Sequence, residues 1–306
     1  MEMTSKNKDL LDLEPNWRPP ENSVWEGKPA VTYPGSKSRI SDWILEHIPD
    51  HELYCEPFSG MASVFFSKNR SQIEVLNDRN KDTLNLLQQV RDHPDELADY
   101  LRRTPYSREQ YDDWADRWHS GWRPEGKVKQ AAVWFYILEA GFVADINTKN
   151  GFSRSSNKGG SKFEKIYQKR VDRLNRVADR LRGVTLECLD YRDVVEKYDT
   201  EETAFYFDPP YYDRQTDYGA SDFQHTDLRD TVVGIDADII ISYDDLPPCF
   251  VDLAEKDNWN VYERDTCQSV SGTPKKVTER LVANYDSGEE PRFTGQRQQS
   301  LSKWSD

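Results

Sequence analysis

The sequence predicts an α/β protein built on a doubly wound sheet of seven strands with a mainly helical segment inserted into it, and three observations carry that prediction. Short apolar runs alternate with segments of helical period on both sides of a central interruption. The interruption, from Pro94 to about Phe163, holds helical patterns and no strand. Motifs rich in Gly, Pro and acidic residues follow three of the apolar runs, and strand ends are where open α/β sheets gather their ligands.

Residues 1–27 are polar, contain prolines and lack any period, so a flexible extension is expected. Leu53 to Glu56 reads as the first strand, stopped by Pro57, and Ala62 to Lys68 as a helix. Ile73 to Leu76, ending in Asn77-Asp78, is the second strand, and Lys81 to Arg91 then places Leu84, Leu87 and Val90 at helical spacing. Within the interruption Pro94 to Arg103, Ser107 to Trp118 and Gly126 to Glu139 are helical, and Ser107 with Gln110 offers a capping-box start. Trp114, Trp118, Trp134 and Tyr136 are assigned to the core rather than to a ligand. Gly141 to Ser161 is a loop of a length that in compact domains marks function or disorder.

A basic helix, Phe163 to Leu181, restores the alternation. Val184 to Cys188, Ala204 to Asp208, Asp238 to Ser242, Trp259 to Glu263 and Glu279 to Tyr285 complete the strands. The main domain is therefore split into 28–93 and 164–290 around an insert at 94–163, and 291–306 form a polar tail.

A chain of 306 residues suffices for one α/β domain with an insert. No segment approaches the length of a membrane span and the first residues lack an apolar h-region, so a cytoplasmic protein with no membrane partner is expected. A monomer is expected. The four cysteines, Cys55, Cys188, Cys249 and Cys267, form no CxxC pair, so neither a metal site nor a disulfide framework is indicated and all are assigned to packing. A net charge of -14 argues against a nucleic-acid partner, because phosphate contacts supply most non-specific affinity. The distribution points the other way: Lys149, Arg154, Lys158, Lys162, Lys165, Lys169, Arg170, Arg173, Arg176, Arg180 and Arg182 meet only Glu164, Asp172 and Asp179. A solvated, ion-paired helix face explains the part after Phe163 equally well. The excess acid elsewhere resembles the surfaces of proteins from salt-loving organisms.

Three motifs carry chemistry. Glu56-Pro57-Phe58-Ser59-Gly60 ends the first strand, where Gly60 permits close backbone approach to a ligand and the amides of a following helix could orient a polar group. Asp78, ending the second strand, is placed to accept hydrogen bonds from ribose hydroxyls. Together the two point to a nucleoside-bearing cofactor. Asp208-Pro209-Pro210-Tyr211 follows the apolar strand from Ala204; two prolines fix the backbone so that the Asp208 carboxylate and the Pro209 carbonyl can converge on one amine. An exocyclic amine is a poor nucleophile because its lone pair is delocalised into the ring, and two acceptors holding its hydrogens free that lone pair for in-line attack on a sulfonium methyl. Tyr211 supplies a ring for an extruded base.

These motifs resemble those of the Dam-like, alpha-group (D12 class) DNA adenine methyltransferases, across about Val31 to Tyr285. The resemblance implies a Rossmann-like, S-adenosylmethionine-dependent methyltransferase sheet whose insert is the DNA target-recognition domain. Tyr33-Pro34-Gly35-Ser36-Lys37 resembles the N-terminal motif whose lysine approaches the methionine part of the cofactor, which implies cofactor roles for Tyr33, Gly35 and Lys37. Glu56, Phe58, Ser59 and Gly60 match the cofactor motif, Asp78 the ribose-binding acid, and Asp208, Pro209, Pro210 and Tyr211 the catalytic motif. Glu187-Cys188-Leu189-Asp190-Tyr191 is similar to the segment beside the cofactor adenine, which implies Asp190. Gly272-Thr273-Pro274-Lys275-Lys276-Val277 resembles the Lys-rich loop before the last strand.

The implied partner is double-stranded DNA, held by Asn147, Lys149, Asn150, Arg154, Lys158, Lys162, Lys275 and Lys276, with the target adenine flipped out of the duplex. Glu139 to Asn147 departs from the family's recognition hairpin, so the resemblance does not extend to the DNA sequence recognised. Whether a restriction endonuclease accompanies the enzyme is not legible from one chain. N4 of cytosine is the rival acceptor, with the aspartate of the tetrapeptide favouring adenine by resemblance alone. A non-catalytic DNA-binding protein that kept the fold is the rival of another class, and its expected mark is a damaged motif.

Overall fold

The computed structural model of the chain describes residues 27–31, 33, 35–142, 146–153, 162–211, 223–257, 259–270 and 273–288. β1 (Leu53–Glu56), β2 (Ile73–Asn77), β3 (Thr185–Glu187), β4 (Thr203–Phe207), β5 (Asp238–Tyr243), β6 (Asn260–Val270) and β7 (Thr273–Ala283) form one seven-stranded sheet. Its order is β3-β2-β1-β4-β5-β7-β6, and β7 lies antiparallel to both β5 and β6 while the other pairings are parallel. β1 and β4 are buried along their whole length. Burial on both faces is why they read as continuous apolar runs rather than alternating ones.

Successive side chains of each strand enter opposite apolar layers, as the pleat requires. Tyr54, Leu76, Tyr206 and Ile240 face one layer. Cys55, Val75, Phe205, Phe207 and Ile239 face the other. The first layer is covered by α1 (Ser41–His47), α2 (Lys81–Asp92), α3 (Pro94–Arg103), α4 (Arg108–His119), α5 (Lys127–Ala140), α6 (Lys162–Asp172) and α7 (Leu174–Leu181). The second is covered by α8 (Tyr191–Tyr198), α9 (His225–Val232) and α10 (Pro248–Lys256).

The helices of the insert pack into the same apolar layer as α2 and α7. α5 is buried along most of its length, and Trp134 stacks on Trp118 with ring centroids 5.3 Å apart. Trp114, Trp118, Trp134 and Tyr136 are all buried, as the sequence indicates. Behind β2, Arg180 points inward rather than to solvent and meets Glu74 at 2.5 Å, with Lys68 on the same carboxylate at 2.9 Å.

Several elements differ from expectation. Ala62 to Lys68 is not an α-helix: Gly60 (φ 49°) and Ala62 (φ 56°) take left-handed conformations, and only a 3-10 turn, Phe65–Ser67, follows. The buried Glu56 carboxylate captures the Phe65 amide at 2.7 Å, which holds the chain in that turn. The expected single helix 163–181 breaks at Arg173 (φ -96°, ψ 0°) into α6 and α7. Only half of the capping box forms: Ser107 Oγ accepts from the Gln110 amide at 3.2 Å, while the Ser107 amide donates to the Tyr136 hydroxyl. α8, α9 and α10 were not anticipated because two-turn segments show little period. β6 and β7 run further than the apolar pattern, and Thr273 to Val277 belong to β7 rather than to a loop, because the backbone ladder with β6 continues to the Val270–Thr273 pair. Cys55 and Cys249 are buried, but Cys188 is exposed.

Among the described residues no helix is long and apolar enough to cross a membrane, and no cluster of His, Cys, Asp and Glu has the makings of a metal site.

Candidate active site

The sheet reverses its winding between β1 and β4: from β1 the chain proceeds outward to β2, and from β4 it proceeds the opposite way to β5. At such a switch point the two connections diverge and leave a crevice at the strand carboxyl ends. The first and third sequence motifs leave β1 and β4 on either side of that crevice, and the second leaves β2.

Asn77 fastens these ends together. Its side-chain amide donates to the carbonyls of Pro57 (2.9 Å) and Leu189 (3.2 Å), and its carbonyl accepts from the Leu189 amide (2.8 Å), so the exits of β1, β2 and β3 share one buried side chain. Asp78 completes the turn by accepting from the amides of Gly60 and Asn80, each at 2.8 Å. Burial lifts the Asp78 carboxyl above its ordinary range, against the pull of those two amides. Gly60 is required twice over: its φ is left-handed, and a Cβ there would meet the Tyr33 ring at 3.0 Å. Tyr33 is fixed in turn by a hydroxyl contact to Thr83 Oγ1 at 3.0 Å.

A cavity of about 450 Å³ opens at this crevice. Tyr33, Gly35, Phe58, Ser59, Gly60, Asp78, Asp208, Pro209, Pro210 and Tyr211 all line it, so residues from four separate motifs converge on one space. The wall also contains Tyr191 and Phe223, which form an aromatic corner with Phe58, with centroids 5.2 Å (Phe58–Tyr191), 5.6 Å (Phe58–Phe223) and 5.8 Å (Tyr191–Phe223) apart. Phe223 had no signal in the sequence, being a lone aromatic outside any periodic segment.

Asp208 is held from behind. The Lys37 ammonium donates to both of its oxygens at 2.7 and 2.8 Å, and Ser242 Oγ donates to Oδ1 at 3.0 Å. Lys37 is buried, also donates to the Gly35 carbonyl at 3.1 Å, and sits 4.7 Å from the centre of the Tyr211 ring. The Tyr211 hydroxyl donates to Glu279 of β7 at 3.2 Å. Burial raises both the Tyr211 phenol and the Glu279 carboxyl above their ordinary values, the latter against the attraction of Lys37. No described group donates to the Pro209 carbonyl. Ser242 and Glu279 were missed by sequence reasoning because the register of β5 and β7, not local sequence, brings them here.

Three of the expected cofactor residues lie off the cavity wall, Lys37 among them because its ammonium is engaged behind Asp208. Glu56 is buried behind the wall, accepting from the Tyr54 hydroxyl (2.8 Å) and the Phe65 amide, and burial pushes its carboxyl up to about 8. Asp190 caps α8 by accepting from the Arg192 amide at 3.1 Å and pairs with Arg79 at 3.8 Å.

The expected DNA residues are dispersed. Asn147 and its neighbour Ile146 reach the cavity wall from the insert. Their segment springs from a short antiparallel stem in which Gly141 bridges Phe152. Lys149 is held by Asp112 (3.1 Å) and Asp116 (2.8 Å), and its ammonium is raised above its ordinary value chiefly by the Asp116 bond. The Asn150 carbonyl accepts from the Tyr111 hydroxyl at 2.8 Å. Lys276, exposed, pairs with Asp265 at 3.0 Å. Lys162 opens α6 and Lys275 pairs with Gln268 in the β6–β7 ladder. Arg154 and Lys158 lie outside the described residues.

Residues 33–236 match the family model described as D12 class N6 adenine-specific DNA methyltransferase. The chain is 26% identical over 282 residues to the Type II methyltransferase M1.LlaDCHI of Lactococcus lactis subsp. cremoris, covering 84% of this chain and 95% of that one. It is 26% identical over 206 residues to the Type II methyltransferase M.MjaIII of Methanocaldococcus jannaschii, covering 61% and 70% of the two chains. With the DNA adenine methylase of Escherichia coli it shares 25% identity over 190 residues, 59% of this chain and 64% of the relative.

Proposed function

The chain belongs to the D12 class N6 adenine-specific DNA methyltransferases, and from that premise we propose that its cavity receives S-adenosylmethionine together with an adenine extruded from duplex DNA. The carrying observation is that Asp78 and Asp208 stand on the wall of one cavity together with the Phe58, Tyr191 and Phe223 rings. The cavity volume is that of a small-molecule site. The cofactor fits the residues present: Asp78 keeps acceptor capacity beyond the amides it already holds, which suits ribose hydroxyls. The aromatic corner suits a purine.

The bound sulfonium would supply an electrophilic methyl group. Everything else falls to the protein. Asp208 and the Pro209 carbonyl each accept a hydrogen of the target amine, pulling nitrogen towards the pyramidal geometry in which its lone pair can attack. No strongly basic group is needed, since the nitrogen becomes acidic once it carries four substituents. Tyr211 offers its ring to the flipped base, and positioning with charge complementarity supplies most of the acceleration. Adenine cannot react while stacked, so the duplex has to yield the base. Target recognition is assigned to the insert, a reading supported by Ile146 and Asn147 standing on the cavity wall. Lys149, Asn150, Arg154, Lys158, Lys162, Lys275 and Lys276 are proposed phosphate and groove contacts, the paired lysines exchanging carboxylates for phosphates.

Sequencing of modified bases in DNA from cells expressing the protein tests this directly. N6-methyladenine at a defined site is expected, whereas N4-methylcytosine in its place, or no modification, would overturn it.

A further inference from the structure

Asp208 carries more hydrogen bonds on one oxygen than on the other. Oδ1 accepts from Lys37 Nζ (2.7 Å) and from Ser242 Oγ (3.0 Å), whereas Oδ2 accepts from Lys37 Nζ alone (2.8 Å). A carboxylate oxygen has about two lone-pair sites. Oδ1 is therefore filled from the protein interior, and Oδ2 keeps one acceptor position.

The source of that asymmetry lies on β5. Ser242 is buried, one position beyond the Phe207–Ile241 pair of the β4–β5 ladder, and so stands beside Asp208. Its oxygen is also 3.0 Å from the hydroxyl of Tyr206, itself buried in β4. A serine hydroxyl has one hydrogen, and Asp208 as a carboxylate can only accept. The directions are thereby fixed: Tyr206 donates to Ser242, and Ser242 donates to Asp208. The Phe207 carbonyl, at 3.4 Å, is the weaker competitor for the Ser242 hydrogen.

We propose that Ser242, oriented by Tyr206, is a positioning residue for methyl transfer: it holds Asp208 Oδ1 inward and so selects Oδ2 as the oxygen that takes the amine hydrogen. The proposal rests on Asp208 acting on the amine, as set out above. Ser242 does not line the cavity, so its effect is expected on the transfer step and not on cofactor binding.

The test is single-turnover methyl transfer from S-adenosylmethionine to unmethylated plasmid DNA, with cofactor Kd measured by calorimetry, on the full chain and its variants. Ser242→Ala is expected to slow transfer roughly 10- to 100-fold, the range for losing a hydrogen bond to a charged group, with cofactor Kd within twofold of wild type. Ser242→Thr, which keeps the hydroxyl, is expected to recover most of the rate. Should Ser242→Ala not fold, Tyr206→Phe decides instead, with a several-fold slower transfer expected at unchanged Kd. An active wild type whose Ser242→Ala variant, or in that event its Tyr206→Phe variant, transfers at the same rate would overturn the assignment of Ser242 alone, as would a loss of cofactor affinity matching the loss of rate. A wild type that puts no methyl on adenine would overturn the underlying reading and this proposal with it.

Discussion

The ammonium of Lys37 lies 2.7 and 2.8 Å from the two carboxylate oxygens of Asp208, joining residues 171 positions apart in the chain. Asp208→Ala is therefore expected to abolish methyl incorporation into DNA while calorimetry still detects cofactor binding. Transfer near the wild-type rate would show that another group holds the amine. The pair also predicts non-additivity in stability. Lys37→Met and Asp208→Asn should each destabilise by roughly 1–3 kcal/mol in urea titrations, less than a fully buried pair because the Asp208 side chain is 23% exposed. The double variant should be more stable than the sum of the single losses implies.

Tyr211 can be divided into ring and hydroxyl. Tyr211→Phe removes the bond to Glu279 but keeps the ring, so kcat/KM should fall only a few-fold. Tyr211→Ala removes the ring proposed above to carry the flipped base, a contact worth about 1–3 kcal/mol, and should cost roughly 10- to 100-fold. Equal defects in the two variants would show that the hydroxyl, not the ring, is what matters.

Gly60→Ala meets both a left-handed φ of 49° and a contact of 3.0 Å with the Tyr33 ring. A loss of about 1–2 kcal/mol in stability is expected from the backbone alone. Weaker cofactor binding should accompany it, since Gly60 and Tyr33 share the cavity wall. Replacing Tyr33 by Ala in the same chain should recover the steric part and leave the backbone part, a division that calorimetry can check.

Glu56 makes stability depend on pH in a stated direction. Its folded carboxyl titrates at about 8, while an unfolded glutamate titrates at about 4.3. Between these values the folded chain binds more protons, so the Glu56 contribution is present in full below the lower value and is lost as pH rises towards the upper one. Glu56→Gln should remove that loss. Its Tm relative to wild type should climb steadily from pH 5 to pH 9, by at least the ~2–4 °C that one kcal/mol represents in a chain of this size. A difference independent of pH would mean that Glu56 is already ionised in the fold.

Asp112 and Asp116 hold Lys149 at 3.1 and 2.8 Å. Substituting both by Asn should free the ammonium for phosphate, tightening binding to duplex DNA at low salt and steepening the decline of log K with log salt by about one contact. Binding unchanged in both respects would place Lys149 outside the DNA interface.

The cavity lining was legible in the sequence where it is local. Asp208-Pro209-Pro210-Tyr211 and Gly60 announce themselves because prolines and a left-handed glycine leave marks that no tertiary context is needed to read, and both fall at strand ends that the apolar runs reveal. Ser242 and Glu279 were illegible for the converse reason, since only the register of β5 and β7 places them behind Asp208 and Tyr211. The turn at Ala62 was misread because its residues are compatible with a helix and the deciding partner, Glu56, lies on the preceding strand. Phe223 was invisible because its companions Phe58 and Tyr191 are far away in sequence.

α5, the central helix of the insert, is buried in the apolar layer that also contains Leu86 of α2, Val177 of α7 and Tyr206 of β4. The insert is thus part of the molecule's keel and not a detachable cassette. On the reading proposed above, in which the insert reads the DNA, lineages of this architecture could not trade specificity by exchanging the whole segment without rebuilding the interior. Divergence would have to run through positions such as Asn147, Thr148 and Lys149, which are exposed beyond the end of α5 and can change while the helices beneath them stay fixed.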